Sequence, residues 1–120
     1  MVSSASQNEI FFKRYLGQKV KVIIDRPLGS KHPDFDMIYP VNYGFLPDTK
    51  APDGDEIDAY ILGINEPIKE FEGIIIAVIH RLDDNEDKLV LAEKGKDFND
   101  KEIKNLTNFQ EKYFKSKLIR

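Results

Sequence analysis

Four acidic side chains are concentrated within six residues, directly ahead of an apolar run: Asp53, Asp55, Glu56 and Asp58. Carboxylates this close repel one another by about a kcal/mol per pair even when well screened, and by more once they are partly desolvated. A divalent cation among them removes that cost, and oxygen-only ligands favour magnesium, manganese or calcium over zinc. The cluster therefore predicts a metal site.

The same segment has plainer interpretations. Asp-Gly is a common turn dipeptide, so Asp53 and Asp55 alone are also typical of a solvated loop. Asp58 argues against that, because it alternates into an apolar strand, where a carboxylate carries a desolvation cost. A calcium-binding EF-hand loop is excluded, because the sixth position counted from Asp53 is Asp58 rather than glycine and the twelfth is Ile64.

The composition is that of a folded protein without thiol chemistry. A chain of 120 residues fits one domain, which buries roughly two thirds of its unfolded surface. Its 41% hydrophobic content argues against disorder, and a net charge of −3 gives no sign of nucleic-acid binding. Cysteine is absent, which excludes disulfides and thiolate zinc sites. His32 and His80 are too few for a zinc motif, and we expect structural or surface roles for them.

Location and domain boundaries follow from the apolar runs. The longest of these, residues 74–79, is far too short to span a membrane, and residues 1–8 lack the apolar core of a signal peptide. We therefore expect a cytoplasmic protein with no membrane partner, in which residues 1–8 form a flexible tail and residues 9–120 form one barrel domain.

Alternating apolar residues predict five short strands, at 19–25, 42–46, 56–62, 73–80 and 88–92. Five strands joined by turns are typical of a small barrel. A short helical turn is expected before them, with Asn8 as its cap and Gly17 as its end.

The C-terminal helix has the clearest start signal. Asn99 and Glu102 form a capping box, and Phe98 and Ile103 form a hydrophobic staple. The spacing predicts a buried stripe on this helix, made of Ile103, Leu106, Phe109 and Tyr113.

Two motifs carry a resemblance to a known family: Tyr-Pro-Val-Asn-Tyr-Gly at 39–44 and Asp-Gly-Asp-Glu-Ile-Asp-Ala at 53–59. They resemble the family I (soluble) inorganic pyrophosphatases, over most of the chain from Lys19 to Tyr113. The resemblance implies a mainly β fold, with a five-stranded OB-like closed barrel and a C-terminal α-helix. It also implies hydrolysis of pyrophosphate, or of a related small phosphoanhydride or phosphoester, by metal-activated water. Magnesium is the expected cofactor and manganese the alternative, and because family members assemble, a homo-oligomer is also implied.

The resemblance further implies roles for individual residues. Asp55 matches the acid that orients or deprotonates the attacking water. Tyr39, Tyr43 and Tyr113 match tyrosines of the phosphate site, and Lys88 matches a lysine just beyond the second acidic cluster. The metal ligands implied by position are Asp25, Asp53, Asp55, Asp58, Asp83, Asp84 and Glu86.

Phosphoryl transfer also needs cations, because charge must be neutralised on the transferring and leaving phosphates. The candidate cations are Arg26, Lys31, Arg81, Lys88 and Lys115. We expect Arg26 and Lys88 to act in catalysis beside Tyr43 and Asp55. Lys31 and Arg81 are expected to bind the substrate beside Tyr39 and Tyr113.

Several of these assignments have alternatives. The acidic segment 83–87 is also typical of a solvated hairpin tip, Tyr113 also fits the helix core, and the basic loop with Arg26, Lys31 and His32 also fits a solvated loop.

The chain departs from the family where phosphate is held. Only residues 26–38 span a gap in which the family has two further strands carrying a lysine, a glutamate and an arginine. Phe114 follows Tyr113 where the family has a lysine. These departures leave a second hypothesis open, a non-catalytic OB-like module that binds metal and phosphate ligands. A third, single-stranded nucleic-acid binding, is disfavoured by the acidic charge balance.

Overall fold

The computed structural model describes residues 7–120, which form two helices and six strands. In chain order these elements are α1 (Gln7–Lys13), β1 (Lys19–Arg26), β2 (Asn42–Leu46), β3 (Ile57–Ile61), β4 (Glu70–Arg81), β5 (Lys88–Ala92), α2 (Asp100–Glu111) and β6 (Ser116–Ile119). Neither helix in these residues has the length and apolarity needed to cross a membrane.

Five of the strands close into a barrel. The order is β1-β2-β3-β5-β4, and β4 pairs back onto β1. All neighbours are antiparallel except β3 and β5, which are parallel. Because β4 is 12 residues long, Glu70–Ile74 pairs with β1 while Val78–Arg81 pairs with β6 along the same edge. Strand β6 therefore extends the sheet beside β4 but is not one of the five strands of the closed barrel.

Alternation along the strands separates two apolar clusters. Ile57, Ala59 and Ile61 of β3 belong to the cluster that includes Phe12 of α1. Tyr60 belongs to the cluster that includes Ile103 of α2. Since successive side chains of a strand point to opposite faces, Asp58 lies on the α2 side of β3.

The five predicted barrel strands are confirmed, with β2 and β5 matching at both ends. The OB-like closed barrel with a C-terminal helix is confirmed as well. The strand β6 was not predicted, because four residues without alternation carry no strand signal of their own. Its strand conformation comes from pairing with β4.

The capping box of α2 is confirmed, with Asn99 accepting from the N–H of Glu102 at 2.8 Å and Glu102 accepting from the N–H of Asn99 at 2.9 Å. The predicted stripe is wrong at its end, because α2 stops at Glu111 and Tyr113 beyond it is 69% exposed. Thr107 and Glu111 take the buried positions after Ile103.

The N-terminal predictions need a similar correction. Helix α1 begins at Gln7, so Asn8 lies inside the helix and is not its cap. The helix ends at Lys13, four residues before Gly17. Residues 1–6 of the predicted tail lie outside the described part of the chain.

Candidate active site

The loop between β2 and β3 holds two acids close together. Gly54 adopts φ +93°, a left-handed conformation that favours glycine, and its N–H donates to the Ala51 carbonyl at 2.8 Å. The N–H of Asp55 donates to Oδ1 of Asp53 at 3.0 Å, an Asx-turn that fixes the two carboxylates on one side of the loop. The Asp-Gly-Asp sequence is therefore a built turn that presents both acids outward.

Glu86, in the turn between β4 and β5, completes an acidic group with that loop. Asp53, Asp55 and Glu86 each place a carboxylate oxygen within 4.8 Å of the others, and all three are exposed. The donor set is three oxygens without histidine or cysteine, which fits Mg²⁺ or Mn²⁺ better than Zn²⁺. These residues fit the magnesium site that the sequence predicts, with Glu86 in the place expected for Asp58.

Asp58 is instead joined to this group through a lysine. Its Oδ2 accepts from Nζ of Lys88 at 2.7 Å, and the same Nζ lies 3.8 Å from Oε2 of Glu86. The Lys88 side chain is only 3% exposed, and it starts the strand that runs parallel to β3. The register of the barrel thus places a buried ammonium between two carboxylates that are 28 residues apart in sequence.

A chain of hydrogen bonds runs from Arg26 to the end of α2. Nη1 of Arg26 donates to the Tyr39 hydroxyl at 3.2 Å, and that hydroxyl donates to Oε1 of Gln110 at 3.1 Å. The Gln110 amide donates to the Tyr60 hydroxyl at 2.7 Å, which donates to Oε2 of Glu111 at 2.6 Å. The guanidinium of Arg26 is thereby oriented by residues of the barrel and of α2.

Glu111 also binds Arg81 in a buried two-point ion pair. Nε of Arg81 is 3.0 Å from Oε1 of Glu111 and Nη2 is 2.7 Å from Oε2. Nη1 donates to Asp84 at 3.0 Å, and the guanidinium carbon lies 3.7 Å from the ring centre of Phe114. Burial works against the charged form, but the hydrogen bonds of Glu111 raise the pKa of Arg81 above its ordinary value. Phe114 is thus a packing partner of a fixed cation.

Two residues of the first motif explain why the strands meet as they do. Gly44 lies opposite Ile24 in β1, and a Cβ there would overlap the Ile23 carbonyl oxygen. The buried amide of Asn42 accepts from the N–H groups of Leu28 at 2.9 Å and Ile68 at 3.3 Å. Asn42 thus holds the loop after β1 against the barrel, and Gly44 lets β1 and β2 approach each other closely.

Several of these groups line one cavity of about 570 Å³, the size of a small-molecule site, whereas Asp53 and Asp55 do not line it. Asp25, Asp58, Glu86 and Lys88 form what we call the acidic wall. His32, Phe35, Met37 and Tyr113 form what we call the aromatic wall. The remaining lining residues are Arg26, Tyr39, Tyr43, Arg81, Gln110 and Phe114.

Burial keeps the tyrosine hydroxyls of the cavity in their neutral form. Burial raises the pKa of Tyr43 well above its ordinary value, and the charge of Asp58 adds to this. Burial also raises the pKa of Tyr39, although Arg26 works in the opposite direction. Desolvation raises the pKa of Asp25, against the effect of Arg26. Both tyrosines therefore stay protonated near neutral pH and can donate hydrogen bonds.

Other predicted site residues have partners elsewhere. Asp83 accepts from the backbone N–H of Lys115 at 3.2 Å, Asp84 binds Arg81, and Lys31 lies 3.5 Å from Asp36. None of these three residues lines the cavity or joins the acidic group, and their predicted roles stay predictions. His80 is buried with Nδ1 2.7 Å from Asp87, in keeping with a structural role.

A model of the inorganic pyrophosphatase family matches residues 6–118. The chain belongs to that family. An inorganic pyrophosphatase of Methanosarcina acetivorans is 42% identical over 76 residues, covering 62% of this chain and 40% of that protein. One from a Nostoc species is 32% identical over 113 residues, covering 89% of this chain and 60% of that protein. The chain thus spans 40% to 60% of the length of these two pyrophosphatases, less than two thirds of either.

Solved inorganic pyrophosphatases share the fold. The crystal structure from Ehrlichia chaffeensis gives a TM-score of 0.66 at 19% identity, over 85% of both chains. That from Neisseria gonorrhoeae gives 0.59 at 25% identity, over 82% of this chain and 78% of that one. The resemblance of the two motifs to the pyrophosphatase family is therefore confirmed, and so is the barrel that it implies.

Phe35, Met37 and Gln110 line this site but are not predicted from the sequence. Glu111, which binds Arg81, is not predicted either, and neither is the role of Asn42, which holds the loop after β1. The polar residues at 110 and 111 follow an apolar helical stripe, and this break in the stripe is the signal that could have indicated buried partners.

Proposed function

We propose that this protein hydrolyses inorganic pyrophosphate with a divalent cation held by Asp53, Asp55 and Glu86. The observation that carries the proposal is that Glu86 belongs both to the three-carboxylate group and to the lining of the cavity. Membership of the pyrophosphatase family supports the same reaction. Mg²⁺ is the proposed cofactor, with Mn²⁺ as a substitute. When bound, such an ion would neutralise phosphate charge and lower the pKa of a coordinated water.

The protein's own residues divide the remaining work. Lys88 and Arg26 lie on the cavity surface as fixed cations and offset the charge of the phosphates. The hydroxyl of Tyr43 donates to a phosphate oxygen, because its raised pKa keeps it protonated. Tyr39 takes part in substrate binding by orienting Arg26, since its own hydroxyl proton is donated to Gln110. Asp55 orients the attacking water and accepts its proton.

Three further roles belong to the same proposal. Asp25 and Asp58 on the acidic wall are additional metal ligands. Arg81 contributes to binding as part of the cavity lining, since Glu111 and Asp84 already bind its nitrogens. Tyr113 contributes to binding as a lining residue of the same cavity.

Phosphate release from pyrophosphate tests the proposal. With Mg²⁺, the purified protein is expected to release phosphate, and a chelator is expected to stop it. Asp55→Asn is expected to slow release by about 100- to 1,000-fold. Glu56→Gln is the matched control, because Glu56 is the exposed neighbour of Asp55 and lies outside the three-carboxylate group.

Absence of release from the intact protein would contradict the hydrolase assignment. If Mg²⁺ with a phosphate ligand still stabilised the protein, the non-catalytic module would take its place. A cytoplasmic location, one barrel domain over residues 9–120, assembly into a homo-oligomer and the absence of nucleic-acid and membrane partners stay predictions.

A further inference from the structure

The aromatic wall contains two large aromatic side chains that are mostly exposed. Phe35 is 65% exposed and Tyr113 is 69% exposed, yet both line the same cavity as the acidic wall. Scattered single apolar residues are ordinary on a protein surface, whereas adjoining ones at a concave site indicate a ligand or a partner. Met37 and the His32 ring continue the same surface. The cavity therefore has one charged side and one side of rings and a thioether.

The aromatic wall is held in place by its own hydrogen bonds. The segment between β1 and β2 folds back on itself through a bridge between Lys31 and Ile38. The His32 N–H donates to the Met37 carbonyl at 2.9 Å, and the Tyr39 N–H donates to Ser30 at 2.9 Å. This short hairpin sets where Phe35 lies, so the wall is preformed.

Ring contacts continue from the hairpin toward the barrel. The His32 ring centre lies 4.9 Å from that of Phe35 and 6.2 Å from that of Tyr39, with only 9° between the planes of His32 and Tyr39. Nδ1 of His32 accepts from the Asp34 N–H at 3.0 Å, which fixes the ring orientation. The rings of His32 and Phe35 thus form a continuous aromatic surface that lines the cavity.

Inorganic pyrophosphate does not use such a surface. All its outer atoms are oxygens, so Lys88, Arg26 and a divalent cation held by carboxylates satisfy its charge, while the aromatic wall stays in contact with water. A diphosphate that carries a planar aromatic group uses both sides. Its phosphates lie toward Lys88, and its ring stacks on Phe35 and Tyr113.

We propose that the cavity takes nucleoside diphosphates, with the base on the aromatic wall and the diphosphate at Lys88 and the acidic wall. This substrate class rests on the proposed phosphoanhydride hydrolysis. The oxygen of water bonds to the terminal phosphorus, and the bond from that phosphorus to the bridging oxygen breaks. The bridging oxygen leaves with the nucleoside monophosphate, and the proton lost by water passes to Asp55 and from there to solvent. The products are a nucleoside monophosphate and phosphate.

Binding of two diphosphates that differ only in the base tests the proposal. Adenosine diphosphate and ribose 5-diphosphate are titrated into the protein with Mg²⁺, and the dissociation constants are compared. Stacking on the aromatic wall is expected to make adenosine diphosphate bind about tenfold more tightly. Phosphate release from adenosine diphosphate and from pyrophosphate is measured in parallel.

A variant pair locates the effect. Phe35→Ala is expected to remove most of the preference for adenosine diphosphate over ribose 5-diphosphate. Ile38→Ala is the control, because Ile38 is 57% exposed in the same hairpin but does not line the cavity. Equal binding of the two diphosphates overturns the proposal, as does an equal loss of preference in both variants. No phosphate release from pyrophosphate, with the base preference intact, contradicts only the proposed function.

Discussion

The acidic wall and the aromatic wall of the cavity are built in different ways. Asp25, Asp58 and Lys88 stand on barrel strands, so alternation and register decide where they point. Phe35 stands in a hairpin between strands, and Tyr113 stands just beyond the end of α2. The face of the barrel on which these strand residues lie can therefore be predicted from sequence, whereas the positions of Phe35 and Tyr113 depend on contacts that only the folded chain makes.

The largest expected effect comes from the ion pair beneath both walls. Glu111→Leu leaves the Arg81 guanidinium, which is 3% exposed, without its main partner. We expect the free energy of unfolding in urea to fall by about 3–5 kcal/mol. The double variant Arg81→Met/Glu111→Leu should recover most of this loss, because no buried charge remains unpaired.

Glu93→Leu is the control for that prediction. Its pair with Lys96 at 3.2 Å is exposed, and its loss is expected to cost at most about 1 kcal/mol. Equal losses for Glu111→Leu and Glu93→Leu would show that the buried pair does not support the two walls.

Lys88→Met separates metal binding from phosphate binding on the acidic wall. Asp58 and Glu86 lose their shared cation, so Mg²⁺ is expected to bind more tightly. The phosphates lose the same cation, and phosphate release is expected to slow about 100-fold. Calorimetry measures Mg²⁺ binding, and a phosphate assay measures the rate of release.

Lys50→Met is the control, because Lys50 is an exposed lysine near the acidic loop, and it should change neither Mg²⁺ binding nor phosphate release. Weaker Mg²⁺ binding by Lys88→Met would contradict the placement of Lys88 between the two carboxylates.

Tyr39→Phe tests the hydrogen bonds that link the two walls. Arg26 and Gln110 both lose a partner, and we expect KM for pyrophosphate to rise about tenfold. Steady-state kinetics measures the change. Tyr15→Phe is the control, because Tyr15 packs near α1 and does not line the cavity. An equal response of both variants would contradict an orienting role for the Tyr39 hydroxyl.

The smallest effect lies outside both walls, where Glu9 of α1 meets Lys117 of β6 at 3.0 Å. The hydrogen bond from Lys117 holds the pKa of Glu9 below its ordinary value of 4.5. Stability from this pair is therefore present above that value and lost as the pH falls through the lower folded-state pKa. Melting temperatures of wild type and Glu9→Gln should differ at neutral pH and converge in acid. A difference that persisted in strong acid would contradict this.

The parts of the fold that could be predicted are those with local signals. The capping box at Asn99 and the alternation in β1 to β5 were readable, because each depends on residues a few positions apart. Strand β6 was not, since its conformation comes from pairing with β4. Tyr113 was placed on the helix because the apolar spacing continues past Glu111, whereas the helix does not.

The candidate site divides in the same way. The closeness of Asp53 and Asp55 follows from their turn, and Glu86 was predicted from its position in the second acidic cluster that the resemblance implies. The pairing of Lys88 with Asp58 spans 30 residues, and so does that of Arg81 with Glu111. Neither has a local signal, because charged side chains are ordinarily expected in water.

Direct measurement of Mn²⁺ binding by electron paramagnetic resonance tests the central claim, that Asp53, Asp55 and the cavity residue Glu86 together hold a divalent cation. The wild type is predicted to bind Mn²⁺, and Asp53→Asn and Glu86→Gln are each predicted to lose at least about tenfold in affinity, since each removes one charged ligand. Glu56→Gln is predicted to bind as the wild type does. Equal affinity in all four proteins would contradict the account.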